Sequence, residues 1–170
     1  MTEKELSPTL AWAKLPVTRI PRVGIAVIVF RDSSCTSILL HKRLGHHSPN
    51  TWAFMGGHLE FNESWEDCAL RELKEEAGED LQVLRPWFVD AKNVIFPEEN
   101  KHYVTLFMVT HRTSGEPKIM EPDKCAEIGW FDTNNLPSPL MSGCQMLKDD
   151  NFFERARQHA EWLDLMRLGL

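Results

Sequence analysis

The longest apolar runs of the chain are two segments rich in β-branched and aromatic residues. Residues 22–30 are almost continuously apolar, which predicts a central strand buried on both faces. Residues 103–110 form a second run of this kind and predict another buried strand. Shorter segments bounded by turn residues predict further strands at 36–43, 52–55 and 127–132, and one or two more within 81–96.

Helical patterns occur in one internal segment and again toward the end of the sequence. Residues 64–77 are predicted to form a helix, with Ser64 as the N-cap residue and Gly78 just beyond the last turn. Trp65, Ala69 and Leu73 follow one another at intervals of four, and we expect them to be core residues. Two more helices are predicted at 140–149 and 152–168.

The order of these elements predicts a single α/β (α+β) domain, and 170 residues are enough to enclose one core. We expect the domain to occupy residues 21–150. Residues 1–20 contain prolines and little periodicity, so an extended N-terminal lead-in is expected there. Residues 151–170 should form a C-terminal helix packed on the domain, although its apolar stripe would also suit a partner.

The internal helix carries an acidic face. Glu72 lies three residues before Glu75 and four before Glu76, so the three carboxylates share one side of the helix. Like charges at this spacing repel, and a cation between them would relieve the repulsion; ligands that are all oxygen favour Mg²⁺ or Mn²⁺ over zinc. Arg71 can pair with Glu63 and hold the cluster in register. The simpler alternative is an acidic face turned to water.

The negative charge of the protein is local to this region. Residues 57–80 hold nine acids and two bases, whereas the remainder, with 16 acids and 17 bases, is nearly neutral. The sequence has no basic stripe of the kind that would suggest a nucleic-acid polymer as partner. The four cysteines are scattered, which favours reduced thiols, and neither a membrane-spanning run nor a signal peptide is apparent. We therefore expect a cytoplasmic protein without a membrane partner.

Candidate phosphate-binding groups flank the acidic helix in sequence. Lys42 and Arg43 end the strand at 36–43, and a metal site that handles phosphates needs cationic partners for the remaining oxygens. Gly56 and Gly57 allow the backbone to approach a ligand closely. The nearby His46 and His47 are interpreted as part of an ordinary solvated loop.

The whole stretch from Gly57 to Glu79 resembles the sequence signature of the Nudix hydrolase family (MutT type). That signature is Gly, five residues, Glu, seven residues, Arg-Glu, an apolar residue, any residue, Glu-Glu, any residue, Gly and an apolar residue. The chain departs from it only at the last place, where Glu79 stands instead of an apolar residue. The matching positions are Gly57, Glu63, Arg71, Glu72, Leu73, Glu75, Glu76 and Gly78.

The resemblance implies a mixed β-sheet sandwiched between α-helices, and hydrolysis of a nucleoside diphosphate joined to another group with Mg²⁺ or Mn²⁺ as cofactor. Glu72 and Glu76 would be the principal metal ligands, and Glu72 would by preference take the proton of the attacking water. Further groups implied for the metal ion or catalysis are Glu75, the Gly56 carbonyl, Glu60, Glu63 and Arg71. The implied substrate contacts are Lys42, Arg43, Phe54, Gly57, His58, Thr105, Met141 and Ser142.

The chain is also similar, at residues 40–43, 56–61, 102–105, 116–118 and 121–125, to the small nucleotide diphosphatases that include the human type 15 and plant type 1 enzymes. Those relatives are often homodimers and carry Gln-Leu-Pro and Leu-Phe-Trp-Gly where this chain has Ala53-Phe54-Met55 and Leu140-Met141-Ser142-Gly143. Both changes fall in the expected substrate pocket, and Ser142 cannot stack on a base unless Trp12 or Phe152 takes over that role.

Three functions remain open from the sequence. The first is cleavage of a nucleoside triphosphate, such as an oxidised or methylated purine nucleotide, to monophosphate and pyrophosphate. The second is the same chemistry on a non-nucleotide substrate such as a prenyl diphosphate, which Phe54, Met55 and Met141 favour. The third is a Nudix-like module that only binds a ligand; it would normally have lost the acidic residues that this chain retains.

Overall fold

The computed structural model describes residues 20–158, and the account below concerns those residues. They form eight strands and three helices. In chain order these are β1 (Arg22–Phe30), β2 (Ser37–Arg43), β3 (Trp52–Ala53), β4 (Met55–His58), α1 (Trp65–Ala77), β5 (Gln82–Val83), β6 (Trp87–Phe96), β7 (Lys101–Ser114), β8 (Cys125–Asp132), α2 (Ser142–Asp149) and α3 (Phe152–Gln158). A single 3₁₀ turn, Pro97–Glu99, joins β6 to β7.

Strand β1 lies at the centre of the sheet. One of its edges pairs in parallel with β7 along its whole length, from Arg22 opposite Tyr103 to Phe30 opposite His111. Its other edge is shared between two antiparallel partners, β4 over the first half and β2 at the far end. The outer strands β3 and β8 pair with β2, while β5 and β6 pair with β7. The sheet is therefore mixed, as predicted.

The two faces of the sheet are covered by different helices. Ile25, Val27 and Val29 of β1 belong to a core cluster that includes the buried face of α1. Ile28 and Phe30 belong to a second cluster that includes residues of α2 and α3. Because both faces of β1 are buried, its sequence is almost continuously apolar rather than alternating. This layering confirms the expected sheet between helices.

Helix α1 has the ends that its sequence predicts. The Ser64 hydroxyl accepts a hydrogen bond from the Asp67 amide at 3.1 Å, which caps the N-terminus. At the other end the Gly78 amide donates to the Lys74 carbonyl, and Gly78 adopts a φ of 88°, a conformation that favours glycine. Glu79, which occupies an expected apolar place, forms an ion pair with Lys74. An apolar residue at this place is therefore not needed to end the helix.

The prediction that Trp65 is a core residue was wrong. Ala69 and Leu73 are buried, but Trp65 is 43% exposed and rests against the ring of Phe88 on β6 at 5.5 Å. Trp65 is the first residue of α1 and precedes the buried residues of the helix, which begin at Cys68. The spacing of apolar residues in α1 predicted which face of the helix is buried, but not how far along the helix that burial extends.

The two terminal segments are described only in part. The predicted lead-in at 1–20, including Trp12, lies outside the described residues apart from Ile20. Of the predicted C-terminal helix, the described portion is α3, whose Phe153 and Ala156 are buried in the cluster with α2. Within residues 20–158, no helix is both long and apolar enough to cross a lipid bilayer.

Candidate active site

The acidic face of α1 lies directly against the glycines of β4. The amide of Gly56 donates a hydrogen bond to Glu76 Oε2 at 2.8 Å. Glu72 lies so close to Gly57 that any side chain at that position would collide with the Glu72 carboxyl group. The two glycines therefore let a strand and two carboxylates approach one another more closely than other residues would permit.

Arg71 orders this group of carboxylates. Its guanidinium binds both carboxylate oxygens of Glu63, at 2.8 and 3.1 Å, as the sequence predicted. The same side chain donates to Glu72 Oε1 at 2.8 Å and to the His58 carbonyl at 3.1 Å. A contact of 3.4 Å reaches Glu75, whose side chain is mostly exposed. A planar donor with five N–H groups can connect the loop, the helix and β4 in this way, which a lysine could not.

The carboxylates at this site have different electrostatic surroundings. The hydrogen bond from Arg71 lowers the pKa of Glu63 to about 2, so Glu63 is a permanent anion. Burial raises the pKa of Glu72, although Arg71 opposes this effect. Burial likewise raises the pKa of Glu76, to about 8, and the bond from Gly56 offsets only part of that change. Glu72 and Glu76 are therefore the carboxylates that an added positive charge would stabilise most.

The described residues do not form a ready-made metal site. No three acidic, histidine or cysteine side chains among residues 20–158 are grouped closely enough to hold an ion. Glu72 faces Arg71, Glu76 faces the Gly56 amide, and the side chains of Glu60 and Glu75 are exposed. The donors are nevertheless all oxygen, two of them carboxylates whose charged forms are disfavoured by burial, and this donor set fits a hard divalent cation.

A cleft of about 170 Å³ opens beside these carboxylates. Its walls come mainly from β1, β4, β7 and the end of β6, with further residues from the end of β2, the loop and short strand after it, and the start of α2. Of the predicted substrate contacts, the residues that line it are Arg43, Phe54, Gly57, His58, Thr105 and Met141. The backbone of Gly56 lines it as well. The cleft and the acidic cluster thus share the Gly56–Gly57 edge.

Two predicted substrate residues lie elsewhere. The ammonium of Lys42 lies over the ring of Trp52, 5.9 Å from its centroid, and does not line the cleft. Ser142 is the first residue of α2 and is exposed, whereas Met141 and Gly143 on either side of it line the cleft. Successive residues of a strand or of a helix start point in different directions, so neighbours in a motif need not share a site.

The structure also places residues in the cleft that were not predicted there, among them His47, Phe96 and Tyr103. His47 was interpreted as part of a solvated loop, which was wrong: it lines the cleft and its Nδ1 lies 2.6 Å from Glu99 Oε2. Phe96 and Tyr103 line the same wall. His47 and Glu99 are 52 residues apart; His47 lies in the loop between β2 and β3, and Glu99 lies in the turn between β6 and β7. No local pattern indicates this contact.

The fold and the acidic site agree with the family that the sequence signature indicates, and comparison with known proteins identifies the same family. The NUDIX domain family matches residues 20–155, and the chain belongs to that family. The crystal structure of a MutT NUDIX hydrolase from Burkholderia pseudomallei is 31% identical, with a TM-score of 0.68, over 75% of this chain and 95% of that one. The resemblance to the human type 15 group stays a prediction.

Two curated relatives show the range of activities within the family. An ADP-ribose pyrophosphatase from Methanocaldococcus jannaschii is 30% identical over 76% of this chain and 72% of its own length. The NAD-capped RNA hydrolase NudC of Stutzerimonas stutzeri is 28% identical over 72% of this chain, but the match spans only 41% of NudC. The chain therefore belongs to the NUDIX family, and it spans less than half the length of NudC.

Proposed function

We propose that the protein hydrolyses a nucleoside triphosphate to monophosphate and pyrophosphate, with Mg²⁺ or Mn²⁺ as cofactor, by attack of water at phosphorus. The observation that carries this proposal is the contact of Glu72 and Glu76 with the Gly56–Gly57 edge of the cleft. An oxygen-rich cluster at the mouth of a cleft that Arg43 also lines suits a phosphate chain, whose charge requires both a metal ion and a cationic side chain.

In this proposal, the acidic residues bind the metal ion and activate the attacking water. Glu72 and Glu76 would hold the ion, with the Gly56 carbonyl, Glu60 and Glu75 as further oxygens. When bound, such an ion neutralises charge on the phosphate oxygens and lowers the pKa of nearby water. Glu72 would by preference accept the proton of the attacking water, because burial makes its carboxylate a stronger base than an exposed one.

The remaining groups would position substrate. Arg71 fixes the carboxylate of Glu72 and keeps Glu63 ionised beside it. The Arg43 Nε donates to the His47 carbonyl at 3.0 Å, which leaves its other guanidinium nitrogens available to phosphate oxygens. Gly57 lets the Glu72 carboxylate lie against β4, since a side chain at this position would occupy the same space.

A non-nucleotide diphosphate is the second candidate substrate. The observation that favours it is the apolar part of the cleft, where Phe54, Met55 and Met141 lie together with Phe107. A prenyl chain would gain about 0.8 kcal/mol for each methylene that it buries there. A module that only binds ligand is the third candidate, and the retained Glu72 and Glu76 argue against it.

A substrate panel tests these candidates directly. Ordinary, oxidised and methylated purine triphosphates, ADP-ribose, NAD-capped RNA and a prenyl diphosphate are each incubated with the protein and Mg²⁺, and products are separated by chromatography. We expect the highest kcat/KM with a nucleoside triphosphate and no turnover after treatment with EDTA. Glu76→Gln should be inactive, whereas Glu79→Gln, at an exposed carboxylate of the same region, should remain active. Full turnover without metal would refute the proposed mechanism.

We further propose that the protein acts in the cytoplasm on small molecules rather than nucleic-acid polymers, and that it can form a homodimer. Light scattering over a concentration series would measure the dimer. The NAD-capped RNA in the panel tests the exclusion of polymers.

A further inference from the structure

The peptide group between His47 and Ser48 is held by hydrogen bonds on both sides. Its N–H, on Ser48, donates to Glu99 Oε1 at 3.2 Å, and its carbonyl oxygen, on His47, accepts from Arg43 Nε at 3.0 Å. Because a trans peptide is planar, its N–H and its carbonyl point in opposite directions. A continuous chain of hydrogen bonds therefore runs from the Glu99 carboxylate through one peptide group to the Arg43 guanidinium.

We propose that Glu99 is a positioning residue for the hydrolysis reaction: through the peptide between His47 and Ser48, it holds the Arg43 guanidinium in place for the phosphates of the substrate. This inference rests on the proposed function, in which Arg43 binds phosphate oxygens. Arg43 lines the cleft together with Gly56, whereas Glu99 lies in the turn between β6 and β7 and is not among the residues that line it. Glu99 thus acts through Arg43 and does not contact the substrate.

The charge of Glu99 strengthens this chain of hydrogen bonds. Burial raises the pKa of Glu99, but hydrogen bonds from Lys101, His47 and the Ser48 amide outweigh burial and lower the pKa to about 2. Glu99 is therefore ionised. A charged acceptor polarises the peptide that donates to it, and the carbonyl of the same peptide then becomes a better acceptor for the Arg43 guanidinium.

The backbone of Ser48 needs the support that Glu99 gives. Ser48 has a φ of 48°, in the left-handed region that is unfavourable for a residue with a Cβ, and such a conformation persists only where its surroundings hold it. The rotation of the peptide before Ser48 depends on this φ. Without the Glu99 carboxylate the peptide could rotate to a more favourable conformation, which would turn the His47 carbonyl away from Arg43.

The side chain of His47 provides a second connection between the same loop and turn. Its Nδ1 lies 2.6 Å from Glu99 Oε2, and its ring packs edge-on against Phe96 with centroids 4.4 Å apart. Lys101 Nζ donates to the same oxygen of Glu99 at 2.7 Å, which fixes the carboxylate itself. Glu99 is therefore the group that joins the loop after β2 to the hairpin of β6 and β7.

A positioning role and a direct electrostatic role for Glu99 predict opposite effects on anion binding. If Glu99 acted only through its charge, its removal would lessen the repulsion of phosphates and release the ammonium of Lys101, so an anion would bind more tightly. If Glu99 positions Arg43, its removal should weaken binding, because the guanidinium loses its fixed orientation. The sign of the change therefore distinguishes the two roles.

Calorimetry on the full-length protein with Mg²⁺ and methylenediphosphonate measures this sign. The P–C–P bridge of this probe cannot be hydrolysed, so binding is measured apart from the reaction. We expect Glu99→Ala to bind the probe roughly tenfold more weakly, the effect of about one hydrogen bond to a charged group. Glu99→Gln, which keeps the volume of the side chain, should show a smaller loss in the same direction. Glu98→Ala, at the exposed neighbour in the same turn, should bind as the unmodified protein does.

A double-mutant cycle tests whether the effect of Glu99 passes through Arg43. Two residues that act through one interaction have non-additive effects. Arg43→Gln should weaken binding of the probe, and adding Glu99→Ala to it should cause no further loss. A general structural defect would instead weaken binding in both backgrounds, and thermal unfolding would detect it as a lower Tm. Glu99→Gln in the same cycle gives the result even where Glu99→Ala does not fold.

The outcomes separate this inference from the proposed function. Unchanged or tighter binding by both Glu99 variants would overturn the inference, as would a loss that persists undiminished in the Arg43→Gln background. An unmodified protein that does not bind the probe would also overturn it. Failure of the proposed function is a different result: the substrate panel would show no hydrolysis with Mg²⁺, although the cycle still coupled Glu99 to Arg43.

Discussion

Gly57→Ala should separate catalysis from stability. The added Cβ would lie 2.5 Å from the carboxyl carbon of Glu72, whereas carbon atoms in contact are normally about 3.5 Å apart. The carboxyl group must therefore move by about 1 Å. A displacement of this size at a reacting group costs on the order of a hundredfold in rate, or about 2.7 kcal/mol.

The same substitution should change stability little. The group that must move is the end of a flexible side chain, and Gly57 has no positive φ that alanine would strain. We expect a Tm within about 3 °C of the unmodified protein, which corresponds to about 1 kcal/mol in a domain of this size. Steady-state kinetics with Mg²⁺ and thermal unfolding by circular dichroism measure the two effects.

Gly45→Ala is the matched control, because a Cβ at Gly45 would meet nothing within 4 Å. It should leave both kcat and Tm unchanged. If Gly57→Ala kept kcat within threefold of the unmodified enzyme, the position of the Glu72 carboxylate would not matter for the reaction. Its assignment as the preferred base would then be wrong.

Three other changes test separate parts of the structure. Glu76→Gln should lower kcat/KM by at least about 3 kcal/mol and should abolish the rise in Tm that Mg²⁺ gives the unmodified protein, as calorimetry would show. Burial lowers the pKa of His41 to about 4, so the folded state cannot take up the proton that the unfolded state binds below pH 6.5, and stability is lost as the pH falls. Urea unfolding at pH 7 and at pH 5 measures how much free energy of unfolding is lost between the two pH values. This loss should be about 2 kcal/mol smaller for His41→Phe than for the unmodified protein. The control His46→Gln, at an exposed histidine, should lose as much as the unmodified protein. Trp65→Ala should lower the free energy of unfolding in urea by only about 1 kcal/mol, whereas Phe107→Ala, at a fully buried residue, should lower it by about 3–5 kcal/mol. Equal losses for the two variants would contradict the exposure of Trp65.

The parts of the site that the sequence could predict are those encoded locally. The acidic face of α1, the Arg71–Glu63 pair and the cap at Ser64 depend on residues within one turn or one loop of each other, so spacing alone identifies them. The strands β1 and β7 could be predicted because a strand buried on both faces has few polar residues.

The cleft could be predicted only in part, because its walls are assembled by pairing between distant strands. His47 was assigned to solvent because its loop is polar, and its tie to Glu99 depends on tertiary contacts that sequence spacing does not encode. Lys42 and Ser142 lie outside the cleft for a different reason. They adjoin residues that do line the cleft, and the direction of each side chain depends on the exact twist of the strand or start of the helix.

The pairing of β1 with β4 on one edge and β7 on the other has a consequence for how the protein can be altered. The acidic cluster is built on α1 and β4, whereas Phe96, Tyr103 and Glu99 belong to the hairpin of β6 and β7, and the two groups meet across β1. In the proposed function, bond cleavage depends on the acidic cluster, whereas the wall of the cleft that the hairpin supplies would contact another part of the substrate. Exchanging the hairpin tip at residues 96–103 for that of another family member should therefore change substrate preference with the acidic cluster left in place.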